Sequence, residues 1–271
     1  GTAALGHKIV EMEVLYTQEG GAATLTLNRP KKKNAFNTRT YVQMTEGLRR
    51  AQHDSSVRVV VITGSGDYFS AGQDLMEFAA RLGDSDSDAD QGKANHVNDF
   101  LHTLVDFPKV VIAAVNGPAV GIGVTLLLHC DFVFCVQRTT FTTPFTRLGI
   151  APEGGSSILF PTVVGKALTS HMLLRSAPMS AEEALRSGFV GAVLSSVDEL
   201  RAHVAAAVRD LVSLPPNSLA TAKRLINAQR PAALRQVIDD ELAVVARLTA
   251  QEEFKDNVGK IMASMAAKSR L

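Results

Sequence analysis

Apolar and polar residues alternate along Ala22-Ala23-Thr24-Leu25-Thr26-Leu27, a period-two pattern that predicts a β-strand with one buried face. Asn28-Arg29-Pro30 then turns the chain into a basic loop. From Thr38, a residue type that caps helix N-termini, the period lengthens: Tyr41, Met44, Leu48 and Ala51 recur at helical spacing and predict a helix that buries one stripe. Val57 to Thr63 and Val110 to Val115 are apolar on both faces, so each is expected deep in a sheet covered on both sides. The second of these runs into a glycine turn and an apolar helix from Gly123 to His129. Asp131 to Val136 reads as a further strand and Thr139-Thr140-Phe141 as a short one. Strand, turn, helix and strand in succession imply an α/β core with crossover connections.

Beyond Glu153 the pattern turns helical. One helix closes at Leu211 to Leu214 ahead of Pro215-Pro216, another spans Leu219 to Ala228, and a long apolar stripe runs from Ala232 to Glu253. These helices carry more apolar face than one short core needs, which suits either a neighbouring subunit or packing within the chain. Gly83 to Gly92 contains Asp84, Asp86, Asp88 and Asp90 and no apolar residue larger than Ala. It reads as a mobile surface loop, and it lacks the Gly and terminal Glu of a calcium-binding EF-hand.

Composition narrows the function classes. With 271 residues, 46% of them hydrophobic, the chain can bury a full core. The 28 basic and 27 acidic residues leave a formal charge of +1, so no global field would hold nucleic acid or an anionic membrane. Cys130 and Cys135 are the only cysteines and have no zinc-ligand spacing, which points to a reducing interior and small packed thiols. No apolar run reaches the roughly 18 residues of a membrane span. Gly1 to His7 read as a processed or expression-derived end. Ser269-Arg270-Leu271 is a conservative variant of the Ser-Lys-Leu peroxisomal address, so an import receptor is an expected partner.

Two glycine-rich turns carry the candidate chemistry. In Phe69-Ser70-Ala71-Gly72-Gln73-Asp74-Leu75 the small Ala and Gly let a ligand approach the main chain, and Ala71 is expected to offer a backbone N–H. In Asn116-Gly117-Pro118-Ala119-Val120-Gly121-Ile122-Gly123, Ile122 opens a helix, where unpaired N–H groups favour an anion. The Gly-x-Gly at 121 and 123 lacks the third glycine of a dinucleotide site. No Gly-x-Ser-x-Gly elbow accompanies His96, His102 or His129, so a serine hydrolase lacks its nucleophile, and His129 reads as a hydrogen-bonded core residue.

These two turns, followed by Gly149-Ile150-Ala151-Pro152-Glu153-Gly154-Gly155, resemble the crotonase superfamily of acyl-CoA enzymes. The resemblance implies a repeated ββα spiral core over residues 1–200, with a C-terminal helical trimerisation region over 201–271 that assembles trimers, sometimes paired into hexamers. Hydratases of that superfamily place one glutamate on the helix after the second glycine turn and another after the following strand; the corresponding places here hold Thr125 and Phe145. The remaining Pro152-Glu153-Gly154 step resembles the single base of the Δ3,Δ2-enoyl-CoA isomerases, most closely their peroxisomal branch, which is also similar at Phe107-Pro108-Lys109 and Thr143-Pro144-Phe145.

What the resemblance implies is an allylic proton transfer in β-oxidation of unsaturated fatty acids. Glu153 moves a proton from C2 to C4 of a 3-enoyl-CoA while the Ala71 and Ile122 amides hold the thioester oxygen, with no metal or redox cofactor. Such a glutamate needs a proton affinity near neutrality, which an apolar lining from Phe145, Leu148 or Ile150 would favour and a helix beginning near Gly154 would oppose. Lys31, Lys32 and Lys33 are expected at the CoA phosphates, the backbone of Ala35 and Phe36 at the adenine or pantetheine, and Ser70, Gly72, Gln73, Asp74, Leu75, Gly121 and Phe145 among the other residues that bind the acyl-CoA substrate. Dienoyl-CoA isomerisation and a non-catalytic acyl-CoA or partner-binding module are the alternatives, and the mitochondrial matrix is the alternative compartment.

Overall fold

The computed structural model describes residues 12–77, 89–228 and 231–268. Among the described residues nine strands form two sheets: β1 (Val14–Glu19), β2 (Ala22–Leu27), β3 (Val59–Gly64), β4 (Val110–Val115), β5 (Ala119–Val120), β6 (Phe132–Val136), β7 (Thr140–Thr142), β8 (Met179–Ser180) and β9 (Ala192–Leu194). The helices are α1 (Thr38–His53), α2 (Ala89–Val105), α3 (Ile122–Thr125), α4 (Phe145–Leu148), α5 (Ser156–Val163), α6 (Gly165–Leu173), α7 (Ala181–Arg186), α8 (Val197–Ser213), α9 (Pro216–Asn227), α10 (Pro231–Thr249) and α11 (Glu252–Lys268).

The larger sheet runs β1-β2-β3-β4-β6-β9, parallel except for the β1–β2 hairpin; the smaller runs β5-β7-β8. One unit recurs. A long strand of the large sheet is followed by a short extended piece at the small sheet and then by a helix: β4, β5 and α3, then β6, β7 and α4. After β3, Ser70 supplies the short piece, as an isolated bridge to Ala119. This is the spiral α/β core that the crotonase resemblance implies, and it brings the residues after each short piece to one place.

Both faces of the large sheet are covered, as the apolar runs predict. Val60, Ile62, Val111, Ala113 and Val115 face the main core with Tyr41, Met44, Leu48 and Ala51 of α1. Val59, Val61, Val110, Ile112 and Ala114 face Leu200 and Val204 of α8. The boundary expected at residue 200 therefore falls inside a helix that stays with the sheet. Leu234 and Ile238 of α10 also enter the main core.

Several boundaries differ from expectation. Asn37, not Thr38, caps α1: its Oδ1 accepts the Thr40 N–H at 2.8 Å. The 123–129 segment is one turn of α-helix followed by a 3-10 turn over Leu126–His129. The stripe from Ala232 to Glu253 belongs to two helices that part at Ala250-Gln251. Ala89 to Gly92 open α2; the rest of the expected Asp-rich loop, like Ser269-Arg270-Leu271, lies outside the described residues. Cys135 is buried, which pushes its thiol up to about 12, consistent with packing in place of reactivity. Among the described residues no helix is long and apolar enough to cross a membrane, and no cluster of acidic, His and Cys side chains could hold a metal.

Candidate active site

The two glycine turns meet where the bridge ends. Val120 N–H donates to the Ser70 carbonyl at 2.9 Å, and beyond it Gly72 (φ +83°) and Gly121 (φ +53°) pack against each other. A Cβ on Gly72 would lie 2.8 Å from the Val120 oxygen and 3.7 Å from Gly121 Cα, so the left-handed conformation and the close approach both demand glycine. The next residue on each strand, Gln73 and Ile122, holds a backbone N–H with no acceptor among the described residues. Ile122 is at the first position of α3, where an N–H has no intrahelical partner.

Ile122 thus has a free N–H, whereas Ala71, the other expected donor, does not. Its N–H donates to the Lys33 carbonyl at 2.8 Å, because residues 33–36 run beside the loop: Phe36 N–H bonds Gly72 O at 2.7 Å and Asp74 N–H bonds Phe36 O at 2.8 Å. The unpaired donor lies two residues further on, at Gln73, after the chain has turned through Gly72. The backbone of Ala35 and Phe36, expected at the adenine or pantetheine, is ordered by the same pairing. The Phe36 amide and carbonyl are spent in the bridge, its ring packs on Tyr41 and Phe100, and Ala35 N–H bonds Lys32 O.

The remaining loop residues divide into scaffold and surface. Ser70 is buried and its hydroxyl donates to Asn34 O while accepting the Gly72 N–H. Asp74 accepts from Arg29 at 3.0 Å and, through its other oxygen, from the Met76 and Glu77 amides. Arg29 is therefore committed to the fold. Asn34, buried with φ +54°, donates to both Ser65 O and Tyr68 O at 2.8 Å and pins the basic loop. Lys31, Lys32 and Lys33 are exposed, the last with its Nζ 4.9 Å from the Tyr68 ring centroid. The Gln73 side chain accepts from Tyr41 Oη at 2.8 Å, and Leu75 is half-buried. Phe145 is in the main core, where its carbonyl receives the Ile150 N–H and closes the turn leading to Glu153.

Glu153 is 9% exposed and lies against α3: Thr125 Oγ1, one helical turn after Ile122, donates to Glu153 Oε1 at 2.6 Å. Burial raises this carboxyl to about 7; the Thr125 hydrogen bond works against the rise and the negative charge of Glu241 adds to it. The Gly154-Gly155 turn beside Glu153 is lined by side chains from distant elements. Leu101 of α2 lies against Gly154, and Leu234 and Ile238 of α10 against Gly155. His129 Nε2 bonds the Gly154 carbonyl at 2.8 Å; the ring is hydrogen-bonded as expected but half-buried, outside the core proper.

The helix expected to begin near Gly154 begins at Ser156, and Glu241 meets its start: Oε2 accepts the Gly155 N–H at 2.7 Å and Oε1 the Ser157 N–H at 3.0 Å. Sequence reasoning missed Glu241. The arrangement offers a near-neutral carboxyl able to take and return a proton, beside two main-chain donors able to hold an oxyanion.

A raised carboxyl also costs stability, with a definite sign. An unfolded Glu153 loses its proton near 4.5, the folded one near 7, so between those values the unfolded chain releases a proton that the folded chain keeps. Folding stability therefore falls as pH rises through that window, by on the order of 3 kcal/mol for this group. Relative to wild type, Glu153→Gln should gain about that much between about pH 4 and pH 8. Urea unfolding at both pH values measures it, and a difference that stays constant with pH would contradict a buried, proton-holding Glu153.

The sequence profile of the enoyl-CoA hydratase/isomerase family matches residues 17–267. Enoyl-CoA delta isomerase 2 of Rattus norvegicus is 38% identical over 258 residues, 95% of this chain and 64% of the rat protein, so the chain spans less than two thirds of that relative. Enoyl-CoA delta isomerase 3, peroxisomal, of Mus musculus is 35% identical over 242 residues, 89% of this chain and 75% of the mouse protein. The crystal structure of an enoyl-CoA hydratase/isomerase from Pseudoalteromonas atlantica superposes with a TM-score of 0.85 at 34% identity, over 93% of this chain and 97% of that one. Matched in sequence and in fold along nearly its whole length, the chain belongs to the enoyl-CoA hydratase/isomerase family, within the crotonase superfamily.

Proposed function

We propose that the chain converts 3-enoyl-CoA to trans-2-enoyl-CoA, with Glu153 as the one proton carrier and the Gln73 and Ile122 amides as the oxyanion hole. The observation that carries this reading is the buried Glu153 carboxyl, raised to about 7 and bonded to a neutral Thr125 hydroxyl where addition of water would call for a second carboxylate. The delta isomerase relatives support the same choice.

Glu153 in its carboxylate form removes a proton from C2. The electron pair moves toward the thioester carbonyl, and the resulting dienolate oxygen is met by the two amides. Protonated Glu153 then delivers its proton to C4, and the double bond closes between C2 and C3. Proton and electron pair balance within the substrate, and conjugation with the carbonyl drives the step. Only the proton carrier and the oxygen's donors need fixed positions; the carrier and one donor are tied to α3, at Thr125 and at Ile122, and the other donor is held by the Phe36–Gln73 bridge.

Exposed Lys31, Lys32 and Lys33 are assigned to the CoA phosphates, as point charges on the rim of the site. The test is conversion of a 3-enoyl-CoA followed by the ultraviolet absorbance of the conjugated product. A rise is expected with the wild type, and its absence would contradict the proposal. In the same assay, replacing the three lysines by Ala should raise KM about tenfold or more with kcat nearly unchanged; an unchanged KM would remove them from the CoA site.

A further inference from the structure

Glu241 stands on α10, 86 residues from the Gly155 amide that it accepts, and both of its oxygens are engaged by the backbone directly after Glu153. From these contacts we infer that Glu241 is a positioning residue for the proposed reaction, clamping the Gly154-Gly155 turn from α10 so that Glu153 is held toward α3 and the substrate. This rests on the isomerase reading and extends it to the carboxyl-terminal helices.

The turn needs such a clamp. Gly154 and Gly155 take φ values of +68° and +76°, consecutive left-handed positions that glycine adopts readily and also leaves readily. A side chain at either position would be strained by these φ values and crowded: a Cβ on Gly155 would meet the tip of Leu234 at 2.6 Å and one on Gly154 would meet Thr125 at 3.0 Å. Freedom of the glycines must then be removed by hydrogen bonds, which come from His129 at Gly154 O and from Glu241 at Gly155 and Ser157. Glu241 is 9% exposed, and its two charge-assisted bonds to amides at the start of α5 are of the strong kind.

Its charge has a second consequence. The amides at the start of α5 form a positive end that would favour an ionised Glu153 and weaken it as a base. Glu241 answers that positive end, and its charge opposes ionisation of Glu153 in the same direction as burial. Among the described residues the other groups facing this turn are the Thr125 hydroxyl from α3, His129 behind Gly154, Leu101 from α2, and Leu234 and Ile238 of α10 itself. His102 of α2 is turned to Asp239 instead, at 3.0 Å.

The test uses the full chain with Glu241→Gln, which keeps length and loses charge, and Glu241→Asp, which keeps charge and loses reach. Both should lower kcat about tenfold through a displaced Glu153, with KM little changed. The acid limb of the kcat/KM–pH profile should move to lower pH in Glu241→Gln and stay with the wild type in Glu241→Asp. Titration of the 13C-labelled Glu153 carboxyl in the free proteins should follow the same order. Folded variants with wild-type kcat and midpoint, or variants that lose only thermal stability, would overturn the inference. A wild type without isomerase activity would sink the proposed function instead; the carboxyl titration would then decide the clamp, and an unmoved midpoint in Glu241→Gln would overturn it.

Discussion

Glu153→Gln is expected to lower kcat for 3-enoyl-CoA isomerisation about a thousandfold, with KM changed little, because the variant can neither take the C2 proton nor return one at C4. The comparison is well controlled by geometry. Gln is nearly isosteric with Glu, the Thr125 hydroxyl can still donate to its amide oxygen, and the neighbouring Gly154-Gly155 turn keeps its bonds to His129 and Glu241. A fall confined to KM would mean that Glu153 binds substrate without carrying the proton. Retained kcat would mean that another group performs the transfer.

The second large effect is expected from a donor that has no side chain. Ile122→Pro removes one N–H at the first position of α3, a place where proline is tolerated because that N–H has no intrahelical partner. Gly121 precedes it with ψ −122°, outside the right-handed helical region that a residue before proline avoids. Loss of one oxyanion donor costs about a hundredfold to a thousandfold in kcat. Ile122→Ala is the control: it keeps the amide and truncates a side chain that is 4% exposed, so it should cost stability, about 2–5 kcal/mol, and leave kcat within a few-fold. Equal kcat in the Pro and Ala variants would remove the Ile122 amide from the oxyanion hole.

The parts of the fold that sequence reveals are those whose local pattern and tertiary burial coincide. β3 and β4 read as buried on both faces because both faces do meet cores, and the stripe of α1 is the stripe it buries. β1 gave no such pattern: it is an edge strand with one buried residue, Val14, and Leu15 is 39% exposed. β9, three half-buried residues, was equally silent. The Ala232 to Glu253 stripe ran across a helix break at 250–251 because Leu234 and Ile238 before it and Phe254 after it are all buried; the acidic pair Glu252-Glu253 in the first turn of α11 marks the new start.

Within the site, the paired glycines and the helix-start amide of Ile122 follow from local pattern, whereas Glu153 stands out only through the resemblance carried by the two turns and the Pro152-Glu153-Gly154 step. The unpaired Gln73 amide is not legible in the sequence. Small size drew attention to Ala71, but its amide is taken by Lys33, a contact between segments 38 residues apart that no local rule contains. Gly72 held the usable signal, because the residue after a left-handed glycine is the one whose amide leaves the sheet. Glu241 had no signal at all: it follows Asp239 and Asp240 on one helix, and only the packing of α10 on the turn at Gly155 distinguishes it from them.

Single-turnover conversion of a 3-enoyl-CoA carrying deuterium at C2, with the product analysed for label at C4, measures the shuttle itself. A buried Glu153 that holds the proton it removed should deliver part of that deuterium to C4 before exchange with water. Product whose C4 hydrogen comes wholly from solvent, at every time sampled, would contradict a single carboxyl carrying the proton between the two carbons.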